Sequence, residues 1–80
     1  MNKYFRIKYT NDKQIVSAWV IECPKILGNH FFKFVDREGD HNNRYLLIDD
    51  EHLIEIKPAQ MNSHYGELEI TKEVKGNGKD

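Results

Sequence analysis

Gln14-Ile15-Val16-Ser17-Ala18-Trp19-Val20-Ile21-Glu22-Cys23-Pro24 is the stretch on which the fold turns. Successive side chains of a strand point to opposite faces of its sheet. Ile15, Trp19 and Ile21 therefore share one face, while Val16, Ala18 and Val20 share the other. A strand that is apolar on both faces needs cover on both, so it reads as central or strongly curved. Pro24 has no amide hydrogen to give a ladder and is expected to end the strand at Cys23.

Working outward, Thr10-Asn11-Asp12-Lys13 is a polar turn of hairpin length. It joins the central strand to an earlier one over Tyr4 to Tyr9, where Phe5, Ile7 and Tyr9 alternate with Tyr4, Arg6 and Lys8. On the other side, Gly28-Asn29 reads as a turn into a third strand, His30 to Asp36. Arg37 to Asn43 is a polar loop, and Arg44 to Asp49 a fourth strand. Asp49-Asp50-Glu51-His52 is an acidic turn before a short fifth strand, Leu53 to Lys57, which Pro58 is expected to terminate. A helix over Asp50 to Lys57 competes, but apolar residues at 53, 54 and 56 fit it poorly. After a loop from Ala59 to His64, a last strand alternates through Leu68, Ile70 and Val74, with Glu67, Glu69, Thr71 and Glu73 opposite.

Short strands at this spacing with no convincing helix give an all-β domain. The expected architecture is a small five- or six-stranded antiparallel barrel, SH3-like or OB-like, or a strongly twisted sheet. Closure would hide edges, and Arg6 and Lys8 set opposite Glu67 and Glu69 would help fix its register. The domain spans 1–75, followed by a polar, glycine-rich tail over 76–80 that is expected to be flexible.

Eighty residues hold one domain and bury only roughly 60% of the unfolded surface. Cys23 is the single cysteine, so no internal disulfide adds stability. No continuous apolar run follows the N-terminus and none is long enough to span a bilayer, so the expected location is cytoplasmic, without a membrane. The net charge is −1. Residues 1–40 carry seven Lys/Arg against five Asp/Glu, and residues 41–80 carry five against eight. That balance argues against a protein built mainly to neutralise phosphates.

Residues capable of chemistry are present without the spacing chemistry needs. The histidines, at 30, 41, 52 and 64, form no paired-ligand motif and read as surface residues. A metal would need several of them to converge with Cys23. Asp36-Arg37-Glu38-Gly39-Asp40 resembles a calcium loop only in its first half, because its twelfth position is Leu47. Cys23 has no neighbouring base in sequence, although His30 is a candidate to approach it. No catalytic residue, cofactor or metal site is assigned, and the chain reads as non-enzymatic.

Two surfaces remain. An acidic ridge of Glu67, Glu69 and Glu73, extended by Asp49, Asp50 and Glu51, would meet a basic patch on a protein partner. This makes the chain a protein-binding module, an inhibitor or regulator of the kind that phages and mobile elements encode. The alternative is a single-stranded nucleic-acid-binding barrel, with Tyr4, Arg6, Lys8 and Lys33 combining rings and cations. Either a monomer or a homodimer is compatible, the latter through an edge strand such as Leu53–Lys57. No diagnostic motif of a known family stands in the sequence.

Overall fold

In a computed structural model, which describes residues 3–71, the chain forms six strands: β1 (Tyr4–Asn11), β2 (Gln14–Ile26), β3 (Asn29–Val35), β4 (His41–Ile48), β5 (Leu53–Asn62) and β6 (Glu67–Ile70). All neighbours are antiparallel, in one sheet of order β4-β3-β2-β1-β5-β6. The all-β expectation holds, and β2 is central, flanked by β1 and β3. Residues 50–52 form a turn, not a helix. Val74, Glu73 and the 76–80 tail lie outside the described residues.

Both faces of β2 are covered, by different parts of the sheet. Directly opposed residues of antiparallel strands share a face, so the ladders define an inner face containing Ile7 and an outer face containing Arg6. On the inner face Ile7, Tyr9, Val20, Phe32 and Ile48 form the main core, with Phe5, Val16, Ala18, Phe34, Leu46 and Leu53 packed against it. On the outer face Ile21, Val35 and Leu68 form a second cluster, joined by Tyr4 and Trp19. Leu68 lies on β6, four strand spacings from β3. In a flat sheet that separation would be on the order of 19 Å. Clustering with Val35 therefore requires the β5–β6 hairpin to curl over the outer face, and the Leu68 amide anchors it by donating to the Arg37 carbonyl at 2.7 Å.

That curl explains why the sheet is open. The hairpin folds onto the outer face of β2 and β3 instead of reaching β4, and no ladder joins β4 to β6 among the described residues. The structure is thus a twisted six-stranded sheet, not a closed SH3-like or OB-like barrel. The same insertion overturns the expected ion pairs: β5 lies between β1 and β6, so Lys8 pairs with Glu55 (3.6 Å) and Glu67 with Arg37 (3.8 Å). β6 covers only Ala59–Asn62 of β5, so among the described residues no ladder lies on the side of Leu53–Lys57 away from β1.

Neither proline ends its strand. Pro24 falls in the register shift between Cys23 and Ile26, where β2 bulges and resumes. Pro58 sits within β5, its carbonyl accepting from the Thr71 amide at 2.9 Å, just past the end of β6. A residue's N–H and C=O point to the same side of a strand, so its missing hydrogen faces the point where the β5–β6 ladder has run out. The β2–β3 turn is Leu27-Gly28, not Gly28-Asn29, and both residues have positive φ (51° and 82°). The polar loop is shorter than expected. The Asp36 amide donates to the Asp40 carbonyl (2.9 Å), and β4 begins at His41.

Candidate functional site

The carboxylates of the expected ridge occupy separate places. Glu67 and Glu69 lie on β6, near the Tyr4 end of β1. Asp49, Asp50 and Glu51 lie in the β4–β5 turn, near its other end, where the Thr10 amide donates to the His52 carbonyl at 2.9 Å. The intervening length of β1 is about 20 Å, so the two groups do not form one ridge; Glu73 lies outside the described residues. Most also have local partners. Glu69 Oε1 accepts from Asn62 Nδ2 (2.9 Å), Glu67 meets Arg37, and Asp50 lies 2.6 Å from His30 Nε2. Asp49 Oδ1 accepts from both the backbone and Nδ1 of His52, at 3.0 and 2.6 Å. That side-chain bond, more than the charge attraction, raises the His52 pKa above its ordinary value and lowers that of Asp49.

The other polar candidates are equally local. Asp36 Oδ1 accepts from the amides of Glu38 and Asp40 (3.0 and 2.9 Å), so the calcium-like segment is a turn closed by its own carboxylate. His30 packs parallel to Phe32 on the inner face, while Cys23 pairs with Phe31 on the outer face, so the sheet separates the two. No group of three or more His, Cys, Asp or Glu side chains is placed to hold a metal ion among the described residues. Among them, too, no helix is long and apolar enough to cross a membrane.

Tyr4, Arg6, Lys8 and Lys33 all belong to the outer face, spread over β1 and β3. Arg6 lies 4.6 Å above the Trp19 ring, and Lys33 5.5 Å from that of Tyr45. Partial burial, and then the neighbouring charge of Arg37, lower the Arg6 pKa. Among the described residues no carboxylate lies within 4.0 Å of Arg6.

A further surface is apolar. Ile26, Phe31, Tyr45 and Leu47 share the outer face at the β2–β3–β4 end. Phe31 stacks on Tyr45 (5.3 Å between centroids) and opposes Leu47, and Ile26 opposes Asn29, two residues before Phe31. Leu27 stands at the tip of this hairpin with 96% of its surface exposed, and Tyr45 and Leu47 are about half exposed. Leu27 breaks two local rules together. It leaves a large apolar side chain in water, and it holds a left-handed backbone conformation that favours Asn or Gly. The signal available in the sequence was the missing Asn before Gly28, in a two-residue turn that usually wants one.

No protein-family model, curated protein or solved structure matches this chain.

Proposed function

We propose that this chain is a non-enzymatic protein-binding module that inserts Leu27 into an apolar recess of a partner protein and regulates that partner by occlusion. The flanking contact would come from Ile26, Phe31, Tyr45 and Leu47. The observation that carries this reading is Leu27. Local violations with no stabilising return within the fold concentrate at functional positions, and clustered exposed apolar side chains mark interaction sites. The acidic residues of β6 and of the β4–β5 turn are the less favoured surface, because most already have partners within the chain.

Leu27→Asn tests the reading through two measurements of opposite sign. Asn accepts the left-handed conformation, so the variant should be more stable by on the order of 1 kcal/mol. That corresponds to a rise in Tm of about 4–8 °C for a domain of this size. The same variant, tagged and used for capture from native cell lysate after nuclease treatment, should lose the partner that the parent chain retains. Equal capture by both would remove Leu27 from the site. Loss of capture with Glu67→Lys/Glu69→Lys, but not with Leu27→Asn, would move the docking surface to β6.

A second reading, single-stranded nucleic-acid binding, is favoured by one feature, the Arg6 guanidinium stacked on Trp19 without a carboxylate partner among the described residues. Stacking platforms with an available cation suit bases and phosphates. Lys8 is engaged by Glu55, and Lys33 lies on β3, two strands from β1, which leaves Arg6 as the main contributor.

A further inference from the structure

Around Arg6 the outer face gathers more positive charge than its carboxylates neutralise. In the ladders Arg6 stands opposite Trp19 on one side and Lys57 on the other, and like charges directly opposite each other are destabilising. The guanidinium stacks on Trp19 at 4.6 Å, where partial burial and then the charge of Arg37 lower its pKa. A cation held beside another cation while partly withdrawn from water is a place that favours an anion. The nearby carboxylates are already divided. Glu55 lies 3.6 Å from Lys8 and 3.4 Å from Lys57, and Glu67 meets Arg37 at Nε, 3.8 Å away. That last separation is longer than a hydrogen bond. Among the described residues Arg6, Lys8, Lys57 and Arg37 thus share two carboxylates, which leaves a surplus of two positive charges.

We infer that Arg6 and Arg37 form a clamp for the dianion of a phosphate monoester, with Lys57 beside it. Each guanidinium presents a planar fork of N–H donors that matches phosphate oxygens two at a time. A monoester carries roughly −1.5 to −2 at neutral pH, which answers the two surplus charges. The diester of a nucleic-acid strand carries a single charge and leaves one cation over. Stacking on Trp19 holds the Arg6 fork in place before the ligand arrives, so less side-chain freedom is lost on binding. Arg37 is placed by its backbone, whose carbonyl accepts from the Leu68 amide of the curled hairpin at 2.7 Å. Free phosphate, a mononucleotide and a phosphatidic acid headgroup all present this dianion.

The clamp goes beyond the docking reading and does not rest on it, since Trp19 stands seven residues along β2 from Ile26 and the Leu27 tip. The test is the thermal unfolding midpoint of the full chain in inorganic phosphate and in chloride, at equal ionic strength and neutral pH. The parent chain should gain stability that grows with phosphate concentration, together with a saturable change in Trp19 emission. Arg37→Gln, at an exposed position, and Arg6→Gln should each weaken the phosphate response about tenfold, by loss of a charge-assisted contact. Lys33→Gln, on the same face but outside the clamp, should leave it unchanged. AMP should reproduce the response through the same two arginines, and its cyclic diester should fall at least tenfold short. Sedimentation with phosphatidylcholine vesicles that contain phosphatidic acid, reversed by free phosphate, would place the dianion on a lipid; binding of AMP tighter than that of phosphate would place it on a nucleotide. A parent chain that does not respond to phosphate overturns the inference, including the case in which only Glu73→Gln responds, since Glu73 would then fill the clamp. A gain shared by Arg6→Gln and Arg37→Gln is a general salt effect and overturns it too. Equal responses to AMP and its cyclic diester would also overturn it and return Arg6 to the nucleic-acid reading.

Discussion

His52 reaches Asp49 twice in the β4–β5 turn, through its backbone amide and through Nδ1. The contact has a pH signature whose sign follows from the two shifts. Asp49 is lowered in the folded chain, so its contribution is present above its unfolded value of about 3.9 and is lost as pH falls through the lower folded value. His52 is raised, so its contribution is complete below about 6.5 and is lost as pH rises through the higher folded value. Both are in place between about pH 4 and 6.5. Both side chains are about half exposed to solvent, so the effect is a small displacement of the unfolding midpoint. The gap in urea midpoint between the parent chain and His52→Gln should be widest in that window and narrow above it. A gap that is constant from pH 3 to 9 would show that the pair contributes nothing through its charge.

At the scale of elements, the β5–β6 hairpin depends on one side chain. Leu68 is 1% exposed and clusters with Ile21 and Val35, and Tyr4 and Trp19 pack against that cluster. Leu68→Ala should cost roughly 2–5 kcal/mol. Because Trp19 is the only tryptophan, its emission should also shift to the red in the folded variant as the hairpin loosens. A destabilised variant with unchanged emission would mean that the amide bond to Arg37 holds the hairpin without Leu68. The same hairpin marks where the sequence stops being legible. Period-two alternation identified β1 to β4 and the central place of β2, because the faces of those strands are set by local pattern. It does not say which strand neighbours which, so the expected pairing of β6 with β1 gives way to β5 between them. Pro58 reads as a terminator because a sequence does not show which side of a strand is paired. The carboxylates of the β4–β5 turn do not extend the Glu67–Glu69 face for a similar reason: like charge on successive elements does not make them adjacent, and the length of β1 separates the two groups.

At the scale of the molecule, the charge asymmetry between the two halves is largely consumed by folding. The first half carries 7 − 5 = +2 and the second 5 − 8 = −3. The sheet lays β1 against β5, and β6 reaches the β3–β4 loop, so Lys8 meets Glu55 and Arg37 meets Glu67 across the two halves. Lys8 and Arg37 are thereby engaged by carboxylates, while Arg6 lies opposite Lys57 on the outer face. This bears on the choice between a protein and a nucleic acid as the partner, because the salt dependence of binding counts the phosphates neutralised. For single strands the slope of log K against log salt is about −0.7 per phosphate. Arg6 alone would give about −0.7, whereas Arg6, Lys8 and Lys33 acting together would give about 3 × −0.7 = −2.1. We expect a mixed-sequence single-stranded oligonucleotide to show no binding in 0.1 M salt, or a slope no steeper than the single-contact value. A slope near −2 would mean that Lys8 leaves Glu55 to contact phosphate. It would make the Tyr4–Arg6–Lys8–Lys33 face the working surface, and Leu27 would then need another explanation. A flat response, together with loss of capture by Leu27→Asn, would assign recognition to the apolar hairpin tip, since burying a leucine side chain releases no counterions.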